Sequence, residues 1–303
     1  MKRRQFAGSL AAGIGALFVG GHIQKSWASS AILAKSDSDS ITKKLRQIEV
    51  QSGGRLGVAI LDTQTGQAHS YRADERFPMC STFKLLAAGF TLKRVDLGQE
   101  QLARRIRFKA ADLMSYSPIT EKHVGGDGMS VAELCEAAIT LSDNTAANLL
   151  LHSFGGPALL TAYLRSLDDK VTRLDRIEPE LNESTPGDPR DTTSPKAMLS
   201  TMRQLVLGTA LTPGSREQLT NWLLANKTGD KRLRALLPSG WRVADKTGSG
   251  AYGTTNDIGV LFPPNRAPVL VVSYLTGTKA NPATREAALA EVGRLAASMV
   301  TGN

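Results

Sequence analysis

The chain has 303 residues, of which 41% are hydrophobic and 21% are charged, as is typical of a soluble globular protein with a substantial core. Its formal charge is +9, but four of the positive charges lie in the first 28 residues, so the rest of the chain is only mildly basic. Without a long Lys/Arg run, and with few aromatic residues, the composition argues against a nucleic-acid-binding protein.

Residues 1–28 are predicted to be a signal peptide. A basic start precedes an apolar stretch at 6–21, which is too short to span a bilayer, and residues 26–28 (Ser-Trp-Ala) offer a small-x-small cleavage pattern. Residues 3–6 (Arg-Arg-Gln-Phe) resemble a twin-arginine signal, and the alternative is an ordinary secretory signal. The mature protein is therefore expected to be exported, with no membrane segment.

Hydrophobic patterns indicate strands near both ends of the chain and helices between them. A helix is predicted over 40–53, followed by a strand over 55–62 and a second, alternating strand that completes a hairpin. From 81 to about 225 the periodicity is mostly helical. Three further strands are predicted over residues 241–249, 254–264 and 267–277. A last helix closes the chain.

Because strands from the two ends of a chain usually share one sheet, we expect an α+β fold. An antiparallel sheet flanked by helices would form an α/β lobe from residues 29–79 and 226–303, and residues 80–225 would form an all-α lobe. Residues 174–195, within the all-α lobe, have no apolar period and are rich in Pro and Asp. A loop of that length is often functional, and a ligand site is expected in the cleft between the lobes.

A Ser-x-x-Lys sequence, Ser81 to Lys84, begins an apolar helical pattern. The spacing places the hydroxyl and the amine on one helical face, and desolvation would make the amine a base for a serine nucleophile. The residues leave open that Ser81 is only a polar cap and that Lys84 extends to solvent. A second match, Ser40 to Lys43, shows that the pattern also occurs by chance.

Two further short patterns are candidates for chemistry. Lys-Thr-Gly occurs at 227–229, where the glycine is expected to cap a helix, and at 246–248, where it ends a strand. A strand that ends in small residues leaves its lysine and backbone N–H groups free to face a ligand, so the second copy is taken as functional. Ser-Asp-Asn at 142–144 joins two helical patterns, where helix capping alone would also explain it.

In this order, Ser-x-x-Lys, Ser-Asp-Asn and a strand-borne Lys-Thr-Gly are typical of class A β-lactamases and penicillin-binding proteins. From about residue 45 to 300 the chain resembles class A serine β-lactamases, in particular the chromosomal enzymes of Gram-negative bacteria. The resemblance includes "RADERFPMCSTFK", "EPELN" and "DKTGSGAYGTTNDIGV". It implies an enzyme that hydrolyses penicillins and cephalosporins and so confers antibiotic resistance. Together with the signal peptide it predicts a periplasmic protein without a cofactor. No metal-ligand spacing is visible, and a monomer is expected because no exposed apolar stripe demands a partner.

The resemblance also implies a role for each matching residue. Ser81 would be the acylated nucleophile with Lys84 beside it, Ser142 would relay a proton to the lactam nitrogen, and Glu178 would activate the hydrolytic water. Which of Lys84 and Glu178 removes the proton from Ser81 stays open, and on its own Glu178 could be a solvated loop carboxylate. The residues implied in substrate or water binding are Tyr116, Asn144, Asn182, Arg232, Lys246, Thr247, Gly248 and Ser249.

Arg176 and Asp191 match a salt bridge that holds the ends of the long loop, and the N–H groups of Ser81 and Ser249 match an oxyanion hole. Two departures from the family pattern are visible. The position that often carries a carboxylate-binding arginine is Thr255. Arg232 matches the position from which some relatives supply that arginine instead, so the resemblance assigns it that task. Two free, buried thiols are expected at Cys80 and Cys135, because the family's partner positions hold other residues. These positions hold Gly250 and Ala88.

Two other functions would share Ser81, Lys84, Ser142 and Lys246. One is a D-alanyl-D-alanine peptidase or transpeptidase, and the other is a penicillin-sensing domain that is acylated once and not released. Neither gives a reason for a water site at Glu178, because only rapid hydrolysis of the ester needs a base there. The pattern therefore favours a β-lactamase.

Overall fold

The structure, a computed structural model, describes residues 39–301. The predicted signal peptide and the first residues of the predicted α/β lobe lie outside this range. No helix within it has the length and apolar character needed to cross a membrane.

The described helices and strands follow the predicted order closely. The strands are β1 Arg55–Asp62, β2 Ala68–Tyr71, β3 Phe77–Pro78, β4 Arg105–Ile106, β5 Met129–Ser130, β6 Thr192–Thr193, β7 Arg242–Ser249, β8 Thr255–Phe262 and β9 Val269–Thr276. The helices are α1 39–52, α2 Phe83–Asp96, α3 Val131–Thr140, α4 Asn144–Ser153, α5 Pro157–Ser166, α6 Pro195–Val206, α7 Pro213–Leu224 and α8 Pro282–Thr301. Short 3-10 helices cover Cys80–Thr82, Ala110–Asp112, Thr120–His123 and Glu180–Asn182.

The main sheet has five antiparallel strands in the order β2-β1-β9-β8-β7. Strands from both ends of the chain therefore share it, and the predicted α+β fold is confirmed. Strand β9 lies at the centre and is buried along its whole length, as expected of a strand covered on both faces. The boundaries of the two lobes stay a prediction.

Each face of the main sheet packs against its own apolar cluster. Because successive side chains of a strand point to opposite faces, Val271 packs in one cluster and Val272 in the other. The cluster with Val271 also holds apolar residues of α1 and α8, such as Leu45 and Leu289. The cluster with Val272 continues through helices α2 to α7 and surrounds the start of α2.

Two small sheets were not predicted, since strands of two residues carry no period. In one of them β3 pairs with β6, so Phe77 lies opposite Thr193. Just beyond this pair, the backbone N–H of Met79 donates to the carbonyl of Asp191 at 2.9 Å. The start of α2 is thereby joined to the end of the long loop, which brings Ser81 and the loop residues into one site.

Candidate active site

Ser81 lies in the 3-10 helix Cys80–Thr82, two residues before α2 begins at Phe83, and not in the α-helix itself. The preceding residue, Cys80, has a φ of +45°, which is uncommon for a side chain with a Cβ. The first half of α2, from Phe83 to Gly89, is buried all round, and Lys84 in its first turn is completely buried. Lys84 therefore does not extend to solvent.

Three acceptors lie within 3.0 Å of the amine of Lys84. Its Nζ lies 2.8 Å from the Ser142 carbonyl, 2.7 Å from Oδ1 of Asn144 and 3.0 Å from Oε1 of Glu178. An ammonium group has three hydrogens to donate, so this arrangement satisfies the charged form. Burial nevertheless lowers the pKa of Lys84, while the carboxylate of Glu178 partly offsets this effect.

The carboxylate of Glu178 is the centre of the site. Oε1 accepts from the Ser81 hydroxyl at 3.0 Å and from Lys84, and Oε2 accepts from the side-chain amide of Asn182. Glu178 is completely buried, so it is not a solvated loop carboxylate. The Ser81 hydroxyl and the Glu178 carboxylate are in direct contact.

Asn148 holds the backbone of Glu178 and is a residue that the sequence reasoning missed. Its Oδ1 accepts from the Glu178 N–H at 2.9 Å, and its Nδ2 donates to the Glu178 carbonyl at 2.8 Å. Asn148 is 5% exposed on α4, one turn after Asn144. In the sequence, an asparagine within the apolar helix α4 could have indicated this role, because a buried amide needs hydrogen-bond partners.

Arg176 and Asp191 meet at the ends of the long loop. Arg176 Nε donates to Asp191 Oδ2 at 2.6 Å. The other oxygen of Asp191 accepts from the backbone N–H groups of Asp175 and Arg176, at 2.7 and 2.9 Å. Asp191 is 1% exposed, so it fixes the loop end through a buried charge with several donors.

Ser142 lies between two lysines. Its Oγ accepts from Lys246 Nζ at 3.1 Å and lies 3.4 Å from Lys84 Nζ. Burial and the neighbouring Lys84 lower the pKa of Lys246 to about 7. Ser142 itself has a φ of +59°, so its backbone is held in an uncommon conformation where the two amines meet.

The segment around Ser142 is fixed by its neighbours. Asp143 caps α4, because its Oδ1 accepts from the N–H of Ala146 at 2.9 Å. Asn144 uses both ends of its amide, since Oδ1 contacts Lys84 and Nδ2 donates to the Ser115 carbonyl at 2.8 Å. The N–H of Asn144 donates to the carbonyl of Tyr116, whose ring is largely exposed. Tyr116 therefore stands beside the Ser-Asp-Asn segment.

Arg232 lies beneath the end of β7. It donates to the carbonyls of Gly248 and Asn256, at 2.9 and 2.8 Å, and its Nη2 donates to Ser249 Oγ at 2.9 Å. The side chain is 8% exposed, and burial lowers its pKa. Arg232 therefore lies against β7, the strand that carries Lys246, and contacts the hydroxyl of Ser249 at the end of that strand.

The interpretation of the first Lys-Thr-Gly copy as a helix cap is wrong. Helix α7 ends at Leu224, and Gly229 does not have the positive φ of a glycine cap. Glycine is needed there for a different reason, because a Cβ on Gly229 would lie 2.2 Å from Oδ2 of Asp245. The segment is packed directly against β7.

Cys80 and Cys135 are both free and buried, as predicted. Burial raises the pKa of each thiol to about 12. Because the thiolate is the nucleophilic form, Cys80 is a poor nucleophile even though it adjoins Ser81. Its sulfur makes a hydrogen bond of 3.4 Å with Ser184 Oγ of the long loop, in which either atom can be the donor.

The arrangement pairs a serine hydroxyl with a buried carboxylate, two amines and a second serine. Acyl transfer needs a nucleophile in contact with a base, and further groups that can donate or accept protons. The hydroxyls, the carboxylate and the amines of this site meet both needs.

Comparisons with known proteins agree with this chemistry. The model of the β-lactamase enzyme family matches residues 40–300. The β-lactamase CTX-M-8 of Citrobacter amalonaticus is 48% identical over 86% of this chain and 89% of its own length. The β-lactamase OXY-1 of Klebsiella oxytoca is 45% identical over 90% of this chain and 98% of its own. The solved structure of an ancestral class A β-lactamase is 65% identical, with a TM-score of 0.84, and covers 86% of this chain and 99% of that one.

Proposed function

The chain belongs to the class A β-lactamases, which hydrolyse β-lactam antibiotics through a serine acyl-enzyme and so confer resistance, and we propose that it uses Ser81 as nucleophile and Glu178 as general base. The observation that carries the proposal is the direct contact of Ser81 Oγ with Glu178 Oε1 at 3.0 Å. A base at this distance can accept the hydroxyl proton as the oxygen attacks the lactam carbonyl.

Acylation needs a proton for the nitrogen that leaves. Ser142 gives its hydroxyl proton to the lactam nitrogen as the C–N bond breaks, and Lys84 replaces that proton on Ser142. Lys84 is in turn reprotonated by Glu178, which holds the proton taken from Ser81. The distances of 3.0 Å from Lys84 to Glu178 and 3.4 Å from Lys84 to Ser142 support this route. Glu178 ends the step as a carboxylate.

Deacylation uses the same carboxylate on a water molecule. Once Ser81 is an ester it has no hydrogen to donate, so Oε1 of Glu178 can accept from water in its place. A second acceptor is at hand, because Oδ1 of Asn182 is buried without a hydrogen-bond partner among the described residues. The water attacks the ester carbonyl, Glu178 takes its proton, and that proton passes to the Ser81 oxygen as the C–O bond breaks.

Substrate binding is assigned to the end of β7. The N–H groups of Ser81 and Ser249 would form the oxyanion hole, a kind of donor that typically contributes about a hundred- to a thousandfold in rate each. Lys246 and Thr247 would bind the carboxylate of the antibiotic. Arg232 supports this binding through Ser249, since it donates to Oγ and leaves the Ser249 hydrogen for the substrate. Asn144 and Tyr116 would line the opposite side.

Export is part of the proposal. The basic and apolar pattern of residues 1–28 supports removal of a signal peptide and a periplasmic location, with the twin-arginine route favoured by residues 3–6. We propose that the mature protein acts as a monomer.

The test is turnover of a chromogenic cephalosporin and a penicillin by purified mature protein. Wild type should hydrolyse both, and Ser81→Ala should lose activity by at least about a thousandfold while keeping the same circular dichroism spectrum. A folded wild-type protein without turnover would reject the proposal.

A further inference from the structure

The first Lys-Thr-Gly copy lies directly behind the second. Thr228 Oγ1 is 2.5 Å from Thr247 Oγ1, the hydroxyl assigned above to the substrate carboxylate. Asn226 lies on the other side of Thr228 and is 1% exposed. Its Nδ2 donates to Asp245 Oδ2 at 2.5 Å, which anchors it to β7. A chain of hydrogen bonds thus runs from the site through Thr247 and Thr228 to Asn226.

Each threonine hydroxyl has one hydrogen, so a donation from Thr228 to Asn226 requires that Thr247 be the donor to Thr228. Thr228 Oγ1 donates to Asn226 Oδ1 at 2.8 Å. In this arrangement the 2.5 Å contact is therefore made with the hydrogen of Thr247, which points away from the substrate position. A carboxylate has only acceptors, so it would meet a lone pair of the Thr247 oxygen.

The chain can reverse without leaving a buried group alone. If Thr228 turns its hydrogen to Thr247, the Thr247 hydrogen is released toward the carboxylate. Asn226 Oδ1 keeps a partner in either state, because it also accepts from the backbone N–H of Thr228 at 3.1 Å. The donation from Thr228 would also polarise the Thr247 hydroxyl and strengthen its bond to the charged ligand.

We propose that Thr228 is a positioning residue for the carboxylate of the β-lactam, because it accepts the Thr247 hydrogen in the free enzyme and returns one when substrate binds. The inference rests on the proposed function, since it assumes that Thr247 meets a β-lactam carboxylate. Thr228 acts only through Thr247, and it takes no part in making or breaking the ester.

Thr228→Val is the direct test. The variant keeps the branched shape but places a methyl group where the hydroxyl was, 2.5 Å from Thr247 Oγ1. Carbon and oxygen approach only to about 3.3 Å, so the Thr247 hydroxyl must move and lose its donor. We expect KM for benzylpenicillin to rise about tenfold, with kcat changed less than about twofold. Thr228→Ser keeps the hydroxyl and should restore most of the affinity.

The methyl ester of benzylpenicillin separates positioning from general packing, because it lacks the anionic carboxylate. Its kcat/KM should be the same in wild type and Thr228→Val within about twofold, since an uncharged ester carbonyl accepts a weaker hydrogen bond from Thr247 than a carboxylate does. Thr220→Val, on the neighbouring α7, is the matched control for loss of a threonine hydroxyl.

An equal loss for acid and ester, or no change in KM for the acid, would overturn the inference while leaving the hydrolase intact. If wild type itself fails to turn over benzylpenicillin, the proposed function fails first. If Thr228→Val does not fold, Thr228→Ser becomes the deciding variant. Its KM for benzylpenicillin should then be close to that of wild type. A KM of Thr228→Ser that is raised about tenfold, as expected for loss of the hydroxyl, would contradict the inference.

Discussion

Ser81 and Glu178 share a direct hydrogen bond of 3.0 Å between Oγ and Oε1, although 97 residues separate them along the chain. The same oxygen lies 3.0 Å from Lys84 Nζ. One carboxylate oxygen therefore contacts the nucleophile and the neighbouring amine at once, and it is placed to receive a proton in each half of the reaction.

Glu178→Gln should slow acylation and slow deacylation more, so that the acyl-enzyme accumulates, because the amine of Lys84 can replace Glu178 as the base for Ser81 but not as the base for the hydrolytic water. The amide keeps the size of the side chain but cannot accept a proton from water, so the loss in deacylation rate should be about a hundred- to ten-thousandfold. Intact-protein mass spectrometry after mixing with a penicillin should show the added mass of the substrate, which wild type clears. Glu180→Gln, an exposed carboxylate of the same loop, is the control and should behave as wild type. Trapping by wild type as well would favour the penicillin-sensing function instead.

Asp191→Asn should weaken the loop that carries Glu178. The change removes the charge that pairs with Arg176 in a position that is 1% exposed, so we expect a loss of about 1–3 kcal/mol in the free energy of unfolding. Because the loop is then held less firmly, kcat should also fall. Thermal unfolding and steady-state kinetics check both effects. Asp168→Asn, at an exposed pair with Lys170, should change neither.

The pH dependence should report on Lys246. Its pKa is lowered to about 7 by burial and by Lys84, so the ammonium is present below pH 7 and is lost above it. We expect kcat/KM for a substrate with a free carboxylate to fall as the pH rises through this value. Lys246→Arg keeps its charge across the range and should move the descending limb to higher pH. A wild-type profile that is flat from pH 6 to 9 would show that the charge is not needed.

Stability should fall with rising pH because of Asp257. Burial, and then the nearby Asp245, raise the pKa of this carboxyl well above its usual value of 3.8. The folded state therefore binds a proton that the unfolded state releases, so the stabilisation present below pH 3.8 is lost as the pH rises through the folded-state pKa. The slope should approach about 1.4 kcal/mol per pH unit.

Asp257→Asn should remove that slope. The amide resembles the neutral acid and can still accept from the Leu233 N–H, which donates to Asp257 Oδ2 at 3.1 Å. Urea unfolding between pH 5 and 9 measures the effect, with wild type and variant converging at low pH. Parallel curves for the two proteins would mean that Asp257 titrates as an ordinary carboxyl.

Much of the fold could be predicted because its signals are local. Strand β7 was predicted over 241–249 and is found at Arg242–Ser249, since a strand-like segment that ends in small residues is visible in the sequence. The pairing of β3 with β6 was not predicted, because strands of two residues show no alternation of apolar and polar residues. The roles of Asn148 and Thr228 were also missed. The partner of Asn148 is distant in the chain, and Thr228 belongs to a segment that was interpreted as a helix cap.

The sequence alone determined the type and order of the helices and strands, and it supplied the side chains that can do acyl transfer, because periodicity and residue chemistry are properties of neighbouring positions. Tertiary structure decided that Glu178 touches Ser81 directly, that Asn148 holds it there, and that Thr228 backs Thr247. These contacts depend on how distant segments pack and on which of several acceptors each buried hydrogen reaches. Neither is encoded in any one stretch of the chain.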